Sequence, residues 1–600
     1  MGTRHTIFGA MSVLLLLSSL PAYSSPGSPA PDAPQPYGPG YADGQESLCA
    51  SNPPQRYART TKAGPYGFGK PELVELDSEL DGENIQIGIV RPKVPAKMKV
   101  PVIVFASPYL EVGLQEADFR RCEARLTENF VPHGYAVAFV PIRGTSNAGG
   151  CMDLMGNAER ADLDQAVTYL GKQKWSNGRI GMIGVSYDGS TPWEVASQGN
   201  RFLKTIVPIS GVNDIYHLMF RKGVPEFRGP LILNALYYEY GFLEYNVLNG
   251  RSAEHSVKGI VCPESFKGFY ASIHSAFTGE RDPLGFWAER NSRPGVEKKY
   301  KGSIFLIQGL QDWNVDPGHQ YPWINRLEKK GFYVKHLLGQ WFHAWPDSSS
   351  LNPKIVRWDF ADILLEWFDY WLKGDKKADI GPRVEVQDSE LGWRRDTSWP
   401  PKDAKPVRFA LSADGALTTG KAEDGAAIVA VDPTRSVLGI NFGPNPQTCP
   451  QCAFFYTDKF KKDFRFAGLP ELDATVTPSG PGGHLSAWLY SVGDDGSDLL
   501  GWGQIDLRFA QGGETAALVT PGAPLEVNVL FEPLDALVEK GARLALVLHQ
   551  GSYGDHIPST PTYPLRVELG SKLSVLTVKT FTRPKSAFFQ PPLTPPDPSP

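Results

Sequence analysis

The chain has 600 residues, of which 41% are hydrophobic and 21% are charged, and its formal net charge at pH 7 is −5. Ordinary apolar content and modest charge exclude disorder for most of the chain, and the length exceeds that of one compact domain. A chain without a basic excess has little with which to hold phosphate backbones, which argues against nucleic acid as a partner.

The first 24 residues have the layout of an export signal. The basic residue Arg4 precedes an apolar stretch from Ile7 to Leu20, and Ala22-Tyr23-Ser24 offers a cleavage site between small residues. The stretch is too short to span a bilayer comfortably, which argues against a membrane anchor. We therefore expect residues 1–24 to be a signal peptide, the mature chain to be secreted or periplasmic, and no membrane span to remain after the signal is removed.

The cysteines form an even set in a chain expected to be exported, which favours disulfide bonds and leaves their pairing open. They are Cys49, Cys122, Cys151, Cys262, Cys449 and Cys452. Cys449-Pro-Gln-Cys452 has the spacing of half a zinc site but lacks a second pair of ligands, so we interpret it as a local disulfide. We expect neither a metal nor a cofactor.

Two segments after the signal predict an α/β domain. Residues 25–64 are expected to be a linker rich in Pro and Gly followed by an N-terminal segment, and residues 65–210 alternate between apolar runs and helical periodicity. The helix predicted between residues 157 and 173 has an apolar stripe at Leu163, Ala166, Val167 and Leu170. This alternation predicts a parallel sheet with helices on both faces.

The alternation is then interrupted and resumes. Aromatic-rich sequence that favours helices replaces the strands over 211–297, and strands return over 298–382, near Ile304 and Tyr333. A further helix is predicted from Asp359 to Leu372. Residues 211–297 are therefore predicted to be a helical cap inserted into the α/β domain.

The remaining sequence predicts a second domain. Residues 383–583 contain short strands with period-2 alternation separated by turns, for example at Leu525, Val527, Val529 and Phe531. Residues 584–600 are expected to be a flexible Pro-rich tail. The predicted fold class is an α/β hydrolase with a helical cap insertion, followed by an all-β jelly-roll domain.

The segment Gly184-Val185-Ser186-Tyr187-Asp188-Gly189 predicts a nucleophile elbow between a strand and a helix. The usual pattern is G-x-S-x-G, and here the second glycine comes one position later. At such a turn Ser186 is presented at the carboxyl edge of the sheet, and the amide of Tyr187 can donate to an oxyanion. The alternative is a Gly-rich turn with an incidental serine.

An acid and a base follow at the positions that a Ser-Asp-His order requires. Asp312 lies on the loop after the predicted strand at 304–308, and His343 follows 31 residues later, after another predicted strand. His319 and His336 are less suitable, because one opens a helix and the other falls within a strand. We predict that Asp312 orients His343, which takes the proton of Ser186.

Taken together, these segments resemble the X-prolyl dipeptidyl-peptidase family of serine hydrolases, whose superfamily includes cocaine esterase and the α-amino-acid ester hydrolases. The resemblance covers roughly residues 65 to 580. The matching segments are Gly184-Val185-Ser186-Tyr187-Asp188-Gly189, Asp312-Trp313-Asn314-Val315, His343, Ser107-Pro108-Tyr109, Arg143-Gly144-Thr145, Phe286-Trp287-Ala288-Glu289-Arg290-Asn291, Trp371-Leu372-Lys373-Gly374 and Leu489-Tyr490-Ser491-Val492. One departure is Asp188, since relatives commonly have an apolar residue there.

The resemblance implies further roles. The Tyr109 phenol would be the second oxyanion donor, Trp313 would wall a pocket for proline, and Asn314 would bind the N-terminal end of the substrate. Release of an N-terminal dipeptide also requires an anchor for the α-ammonium group, and a buried carboxylate would serve. Glu239 is the first candidate for this anchor and Asp214 the second.

These observations favour an exported serine exopeptidase that releases N-terminal X-Pro dipeptides from peptides through an acyl-enzyme. An esterase or amidase of small acyl compounds, of the cocaine-esterase or amino-acid-ester-hydrolase type, is the alternative. A non-catalytic protein that binds carbohydrate or a surface is a third reading, against which the intact Ser186, Asp312 and His343 argue. The oligomeric state is left open.

Overall fold

The computed structural model describes residue 49 and residues 57–111, 113–225, 263–278, 281–282, 284–312, 314–430, 451–512, 515–550 and 563–595. The predicted signal peptide, Glu239, Trp313, Cys262 and Cys449 lie outside these ranges. No helix within the described ranges is both long and apolar enough to cross a bilayer.

The described strands of the first half are β1 (Gly67–Phe68), β2 (Glu72–Asp77), β3 (Asn84–Val90), β4 (Pro92–Lys93), β5 (Val100–Ser107), β6 (Ala136–Pro141), β7 (Ser176–Val185), β8 (Leu203–Ile209), β9 (Phe220–Arg221), β10 (Val224–Pro225), β11 (Ser303–Gly309), β12 (Val334–Gly339), β13 (Val384–Gln387) and β14 (Trp393–Asp396). Those of the second half are β15 (Lys405–Leu411), β16 (Leu417–Thr418), β17 (Gly425–Val429), β18 (Ala453–Tyr456), β19 (Phe464–Gly468), β20 (Glu471–Pro478), β21 (His484–Val492), β22 (Ser497–Asp506), β23 (Leu525–Leu530), β24 (Leu534–Val538), β25 (Arg543–His549), β26 (Leu565–Leu569), β27 (Ser574–Thr580) and β28 (Phe588–Phe589).

The described α-helices are α1 (Ala124–Phe130), α2 (Asn157–Lys172), α3 (Tyr187–Gln198), α4 (Ile215–Met219), α5 (Pro263–Thr278), α6 (Phe286–Glu289), α7 (Arg293–Lys299), α8 (Trp323–Lys329) and α9 (Phe360–Phe368). A π-helical turn, Asp369–Lys373, continues α9, so together they cover the helix predicted from 359 to 372. Helix α2 coincides with the helix predicted at 157–173, and all four residues of its apolar stripe are buried.

One large sheet carries the first domain. Its strand order is β2-β3-β6-β5-β7-β8-β11-β12-β13-β14-β28, and the strands from β6 to β13 run parallel. Strands buried on both faces read as continuous apolar runs, and β5 (VPVIVFAS) is buried along its whole length. Because β7, β8, β11 and β12 are consecutive neighbours, the loops after them meet at one edge of the sheet.

Helices cover both faces of this sheet, as predicted. Side chains of α2, α3, α7 and α8 join one apolar cluster with the strands, and side chains of α1 and α9 join a second cluster on the other face. The helices cover the two faces, so a functional site is expected at the edge where the parallel strands end.

The second domain consists mostly of strands, in agreement with the predicted all-β domain. A sheet of nine strands has the central order β16-β15-β27-β20-β26-β17, and a sheet of four strands has the order β18-β25-β21-β22. A single apolar cluster includes residues of both sheets. The predicted alternation in β23 holds, since Val527 and Val529 are buried, as is Phe531 just after the strand.

The structure differs from the sequence-based prediction in the tail, which was expected to be flexible after residue 583. Phe588 and Phe589 instead form β28 and pair with Arg394 and Trp393 at the edge of the large sheet. The ring of Phe589 lies under the guanidinium of Arg395, at 4.2 Å from the ring centroid. Proline-rich composition therefore did not prevent two aromatic residues from docking.

The segment predicted as a helical cap is described only at its two ends. Helices α4, α5 and α6 fall within residues 211–297, but the short strands β9 and β10 also lie there and pair with each other. One disulfide joins Cys49 to Cys122, and Cys151 and Cys452 are also disulfide-bonded. The predicted pairing of Cys452 with Cys449 involves a residue outside the described ranges and stays a prediction.

Candidate active site

Ser186 occupies the turn between β7 and α3. Its backbone has φ 65° and ψ −125°, a conformation that non-glycine residues rarely adopt and that is held only when surrounding structure enforces it. The Ser186 N–H donates to the carbonyl oxygen of Ile209 on β8 at 3.0 Å, which fixes the turn to the neighbouring strand. The predicted elbow geometry is thus present in the backbone.

Close approach of main chain explains both glycines of the elbow. A Cβ on Gly184 would lie 2.4 Å from the carbonyl oxygen of Asp188, and a Cβ on Gly189 would lie 2.5 Å from that of Ile209. Backbone oxygens cannot move aside as side chains can, so neither position accepts a larger residue. Residue 189, on the first turn of α3, packs against the end of β8. The second glycine is therefore needed at position 189, one position later than in the usual pattern.

Asp312 and His343 lie together at the same edge of the sheet. His343 Nδ1 lies 2.9 Å from Asp312 Oδ2, which assigns a proton to Nδ1 and leaves Nε2 as the acceptor. The Nε2 atom is buried and has no hydrogen-bond partner among the described residues. This nitrogen is the one that a general base would use.

The Asp312 carboxylate is held in its charged form. Burial by itself raises its pKa, but His343, the Val315 N–H and the Ser210 hydroxyl together bring the pKa below its usual range. Its Oδ1 atom also accepts hydrogen bonds from the main-chain N–H groups of Asn314 at 3.0 Å and Val315 at 2.8 Å. A carboxylate with this support can orient an imidazole without taking its proton.

Two supports of Asp312 were missed by the sequence analysis. Ser210, directly after β8, hydrogen-bonds to the carboxylate, and Gln308 Nε2 on β11 lies 3.4 Å from Asp312 Oδ2. Both side chains are fully buried. A polar residue at the carboxyl end of an otherwise apolar strand is the signal that could have identified them.

The two predicted oxyanion residues lie on neighbouring elements. Tyr109 comes two residues after β5, which is the neighbour of β7, and its main-chain N–H donates to Ser107 Oγ at 2.9 Å. Tyr187 is the first residue of α3, and its phenol donates a hydrogen bond to Glu159 Oε2 at 2.8 Å, on the side of α2. The group that Tyr187 can offer to an oxyanion is therefore its main-chain N–H, as predicted from the elbow.

Asp214, a predicted ammonium anchor, is fully buried at the start of α4 and already has an imidazole and two guanidinium groups as partners. Its Oδ2 lies 2.8 Å from His217 Nδ1, 3.5 Å from a guanidinium nitrogen of Arg293 and 3.7 Å from one of Arg281. Burial alone would raise the pKa of Asp214, but His217 and then the two arginines bring it below its usual range. The geometry gives this carboxylate the role of neutralising buried cations.

The other predicted substrate-binding residues are only partly described. Asn314 is half-buried on the loop after Asp312, and Trp313 and Glu239 lie outside the described ranges. The second domain also contributes to this region, because Glu532 contacts Arg221 and accepts a hydrogen bond from the Gly318 N–H at 2.6 Å. Its contribution was not foreseen, since nothing local in the sequence links residue 532 to the loop after Asp312.

Comparison with known proteins gives two family matches. The model of the X-Pro dipeptidyl-peptidase (S15 family) matches residues 81–345, and the model of the X-Pro dipeptidyl-peptidase C-terminal non-catalytic domain matches residues 377–584. A putative Xaa-Pro dipeptidyl-peptidase of Streptomyces avermitilis is 28% identical over 579 residues, which cover 82% of this chain and 81% of the relative.

Solved structures share the fold across both domains. An aminopeptidase from a marine sediment archaeon, Thaumarchaeota archaeon, superposes with a TM-score of 0.69 at 17% identity, over 89% of this chain and 99% of that chain. An α-amino acid ester hydrolase gives a TM-score of 0.67 at 19% identity, with the same coverage of each chain. At these identities the likeness bears on the fold alone, and it agrees with the predicted α/β hydrolase followed by a domain of strands.

Proposed function

The chain belongs to the X-Pro dipeptidyl-peptidase (S15) family of serine peptidases, and from this premise we propose that it is an exported exopeptidase releasing X-Pro dipeptides from peptide N-termini. The observation that carries the proposal is the meeting of three features at one sheet edge. These are a serine at φ 65°, a buried carboxylate, and an imidazole 2.9 Å from that carboxylate.

In the proposed mechanism Ser186 is the nucleophile. Its Oγ attacks the carbonyl carbon of the scissile bond while His343 Nε2 takes the Oγ proton, and the charge of Asp312 stabilises the resulting imidazolium. The imidazolium then gives this proton to the leaving amine, the C–N bond breaks, and a Ser186 acyl-enzyme remains. Water, deprotonated by His343, attacks the ester, which releases the dipeptide and restores the Ser186 hydroxyl.

The oxyanion that forms in each step needs donors whose direction is set in advance. We assign this role to the main-chain N–H of Tyr187 and the phenol of Tyr109. The Tyr187 N–H lies at the N-terminus of α3, where the helix dipole adds a favourable field. Tyr109 comes from the loop after the strand adjacent to β7, so both donors belong to elements that flank the nucleophile.

Recognition of the substrate N-terminus is assigned to residues on the loop after Asp312 and in the cap. We propose that Trp313 walls the proline pocket, that Asn314 binds near the N-terminal end, and that Glu239 anchors the α-ammonium group. Glu239 is preferred to Asp214 because the Asp214 carboxylate already faces two guanidinium groups and a hydrogen-bonded imidazole. Glu239→Gln should then slow amine-bearing substrates far more than simple esters, and equal effects on both would remove Glu239 from this role.

Export remains part of the proposal. The apolar stretch from Ile7 to Leu20 and the disulfide between Cys49 and Cys122 support it, since structural disulfides persist in oxidising compartments. Detection of the protein, shortened by about 24 residues, in the periplasm or medium of its native cells would support export. A full-length chain in the cytoplasm would contradict it.

The deciding experiment compares hydrolysis of Ala-Pro-p-nitroanilide, its N-acetylated form and p-nitrophenyl butyrate, with folded Ser186→Ala as the inactive control. Cleavage of the free-amine anilide and not of the acetylated one is the expected result. Fast ester cleavage with neither anilide cleaved would assign the protein to the esterases or amidases of small acyl compounds. Unchanged hydrolysis by Ser186→Ala would discard the triad.

A further inference from the structure

The side chain of Tyr187 is fixed from two directions on the side of α2. Its phenol oxygen lies 2.8 Å from Glu159 Oε2 and also accepts a hydrogen bond from the Met155 main-chain N–H at 3.0 Å. The same N–H lies 3.0 Å from Glu159 Oε2. A phenol, a carboxylate and an amide therefore form one closed hydrogen-bonded group directly beside the elbow.

Burial of the Glu159 carboxylate in this group lowers the free energy of unfolding. Glu159 is fully buried, and the charged groups facing it are Asp153 and Arg160 from its own segment and Glu194 from α3. Burial raises the pKa of Glu159 to about 7, and burial and then the charge of Glu159 raise the pKa of Glu194 well above its ordinary value. A buried phenol needs one hydrogen-bond partner, and a neutral acceptor would satisfy it at a lower desolvation cost.

We propose that Glu159 is a positioning residue for the oxyanion site, holding the Tyr187 side chain and thereby the direction of the Tyr187 main-chain N–H beside Ser186. The side chain and the N–H share one Cα, so a backbone rotation that releases the phenol also turns the N–H. The preceding residue is in a strained conformation, which a firm attachment on its neighbour helps to keep. A carboxylate gives the stronger, charge-assisted hydrogen bond that this task requires.

This inference rests on the proposed function, in which the Tyr187 N–H donates to the oxyanion. Donors act at full strength only when their direction is set before the reaction, and loss of one such donor costs roughly 10²–10³ in kcat. Glu159 itself touches no reacting atom in this scheme. Its loss leaves the N–H in place but less well directed, so the effect should be smaller than that of losing the donor.

The test uses the full chain and two readouts. One is the second-order rate at which a fluorophosphonate labels Ser186, and the other is kcat and KM for whichever substrate of the panel the native chain cleaves. Tyr187→Phe and Glu159→Leu should each lower the labelling rate and kcat about tenfold, with KM within about twofold. Glu159→Gln, which keeps only a neutral acceptor, should recover part of the rate and remain below the native chain.

The double variant Tyr187→Phe with Glu159→Leu provides the decisive comparison. Because both changes break the same hydrogen bond, the double variant should be no slower than the slower single variant. Glu385→Gln is the matched control. Glu385 lies on the distant strand β13 and is also a buried glutamate, but it pairs with Arg357. It should label at the native rate.

The experiment distinguishes failure of this inference from failure of the proposed function. A folded Tyr187→Phe chain that labels at the native rate, or a double variant whose losses multiply, would overturn the inference and leave the proposed function intact. A native chain that neither reacts with the fluorophosphonate nor cleaves any substrate would overturn the proposed function, and the inference with it. If Glu159→Leu does not fold by circular dichroism, Glu159→Met, which also removes the acceptor, takes its place in the comparison.

Discussion

His343 and Asp312 are 31 residues apart in the chain, yet His343 Nδ1 lies 2.9 Å from Asp312 Oδ2. The sheet brings them together, because β11 and β12 are adjacent parallel strands. Their pairing begins with Ile304 and Val334 and ends with Gly309 and Gly339. Both residues follow the carboxyl ends of these strands. Ser186 follows β7, which is separated from β11 only by β8, so the register of four strands sets the geometry on which the proposed chemistry depends.

The first prediction concerns the charge on Asp312. Asp312→Asn preserves the shape of the side chain but removes the charge that would stabilise an imidazolium at His343. We expect kcat to fall about 10³- to 10⁴-fold with little change in KM. Steady-state kinetics on the cleaved substrate provides the measurement, and Asp359→Asn, which affects a carboxylate paired with Arg357, is the control. Retention of more than about a tenth of native turnover would remove Asp312 from the triad.

The second prediction concerns the displaced glycine of the elbow. In Gly189→Ala the new Cβ would lie 2.5 Å from the Ile209 carbonyl oxygen and 2.8 Å from that of Gly184, so main chain would have to move. We expect a loss of about 1–3 kcal/mol in the free energy of unfolding and a large loss of turnover. Gly67→Ala is the matched control, because its Cβ would meet no atom within 4 Å. Native stability and activity in Gly189→Ala would contradict this account of the elbow.

The third prediction concerns a buried ion pair near His343. Arg125 Nε contacts Asp347, four residues beyond His343, at 3.0 Å, and another Arg125 nitrogen lies 3.0 Å from Glu123. All three side chains are almost completely buried, so Arg125→Met would leave two carboxylates without their cation. We expect a loss of about 3–5 kcal/mol in the free energy of unfolding, measured by urea denaturation.

The pair of the exposed Arg326 with Glu297 provides the comparison for that experiment. Arg326 is 58% exposed, and Arg326→Met should cost no more than about 1 kcal/mol because solvent screens such pairs. Similar losses in the two variants would show that burial does not set the contribution of the Arg125 cluster.

The fourth prediction concerns the pH dependence of stability. The pKa of Glu159 is raised from its ordinary value of 4.5 to about 7 in the folded chain, first by burial. Between these values the folded chain binds a proton that the unfolded chain releases, so the contribution of Glu159 to stability is largest below the lower value and falls as pH rises toward the higher one. Glu159→Gln removes this dependence.

The measurement is the difference in thermal midpoint between Glu159→Gln and the native chain at about pH 5 and about pH 8. The variant should gain relative to the native chain at the higher pH. A difference that stays constant across this range would show that Glu159 keeps an ordinary pKa in the folded state.

Local features of the chain were predictable from the sequence. The elbow is contiguous, and its glycines are dictated by main-chain approach within a few residues and one neighbouring strand. Helix α2 was predicted because its apolar stripe repeats at the helical period, and the alternation at Val527 and Val529 indicated a strand with one buried face. The order of Ser186, Asp312 and His343 followed from their positions after predicted strands.

Features that depend on distant partners could not be predicted in the same way. Asp214 was a plausible anchor for an ammonium group until Arg281 and Arg293, about 70 to 80 residues away, were found beside it. The contact of Glu532 with the Gly318 amide joins residues 214 positions apart. Tertiary packing brings these charged residues together. Neither the composition nor the spacing of the sequence indicates which of them will meet.

Periodicity and turn chemistry act over a few residues, so most helices and strands, and the residues that follow the parallel strands, could be predicted without a structure. Contacts between residues far apart in the chain depended instead on the assembled fold. The hydrogen bond of His343 with Asp312, the engagement of Tyr187 by Glu159 and the pairing of Phe589 with Trp393 all require the sheet to be assembled. The free energy of a buried polar contact depends on every group around it, and those groups come from all parts of the chain.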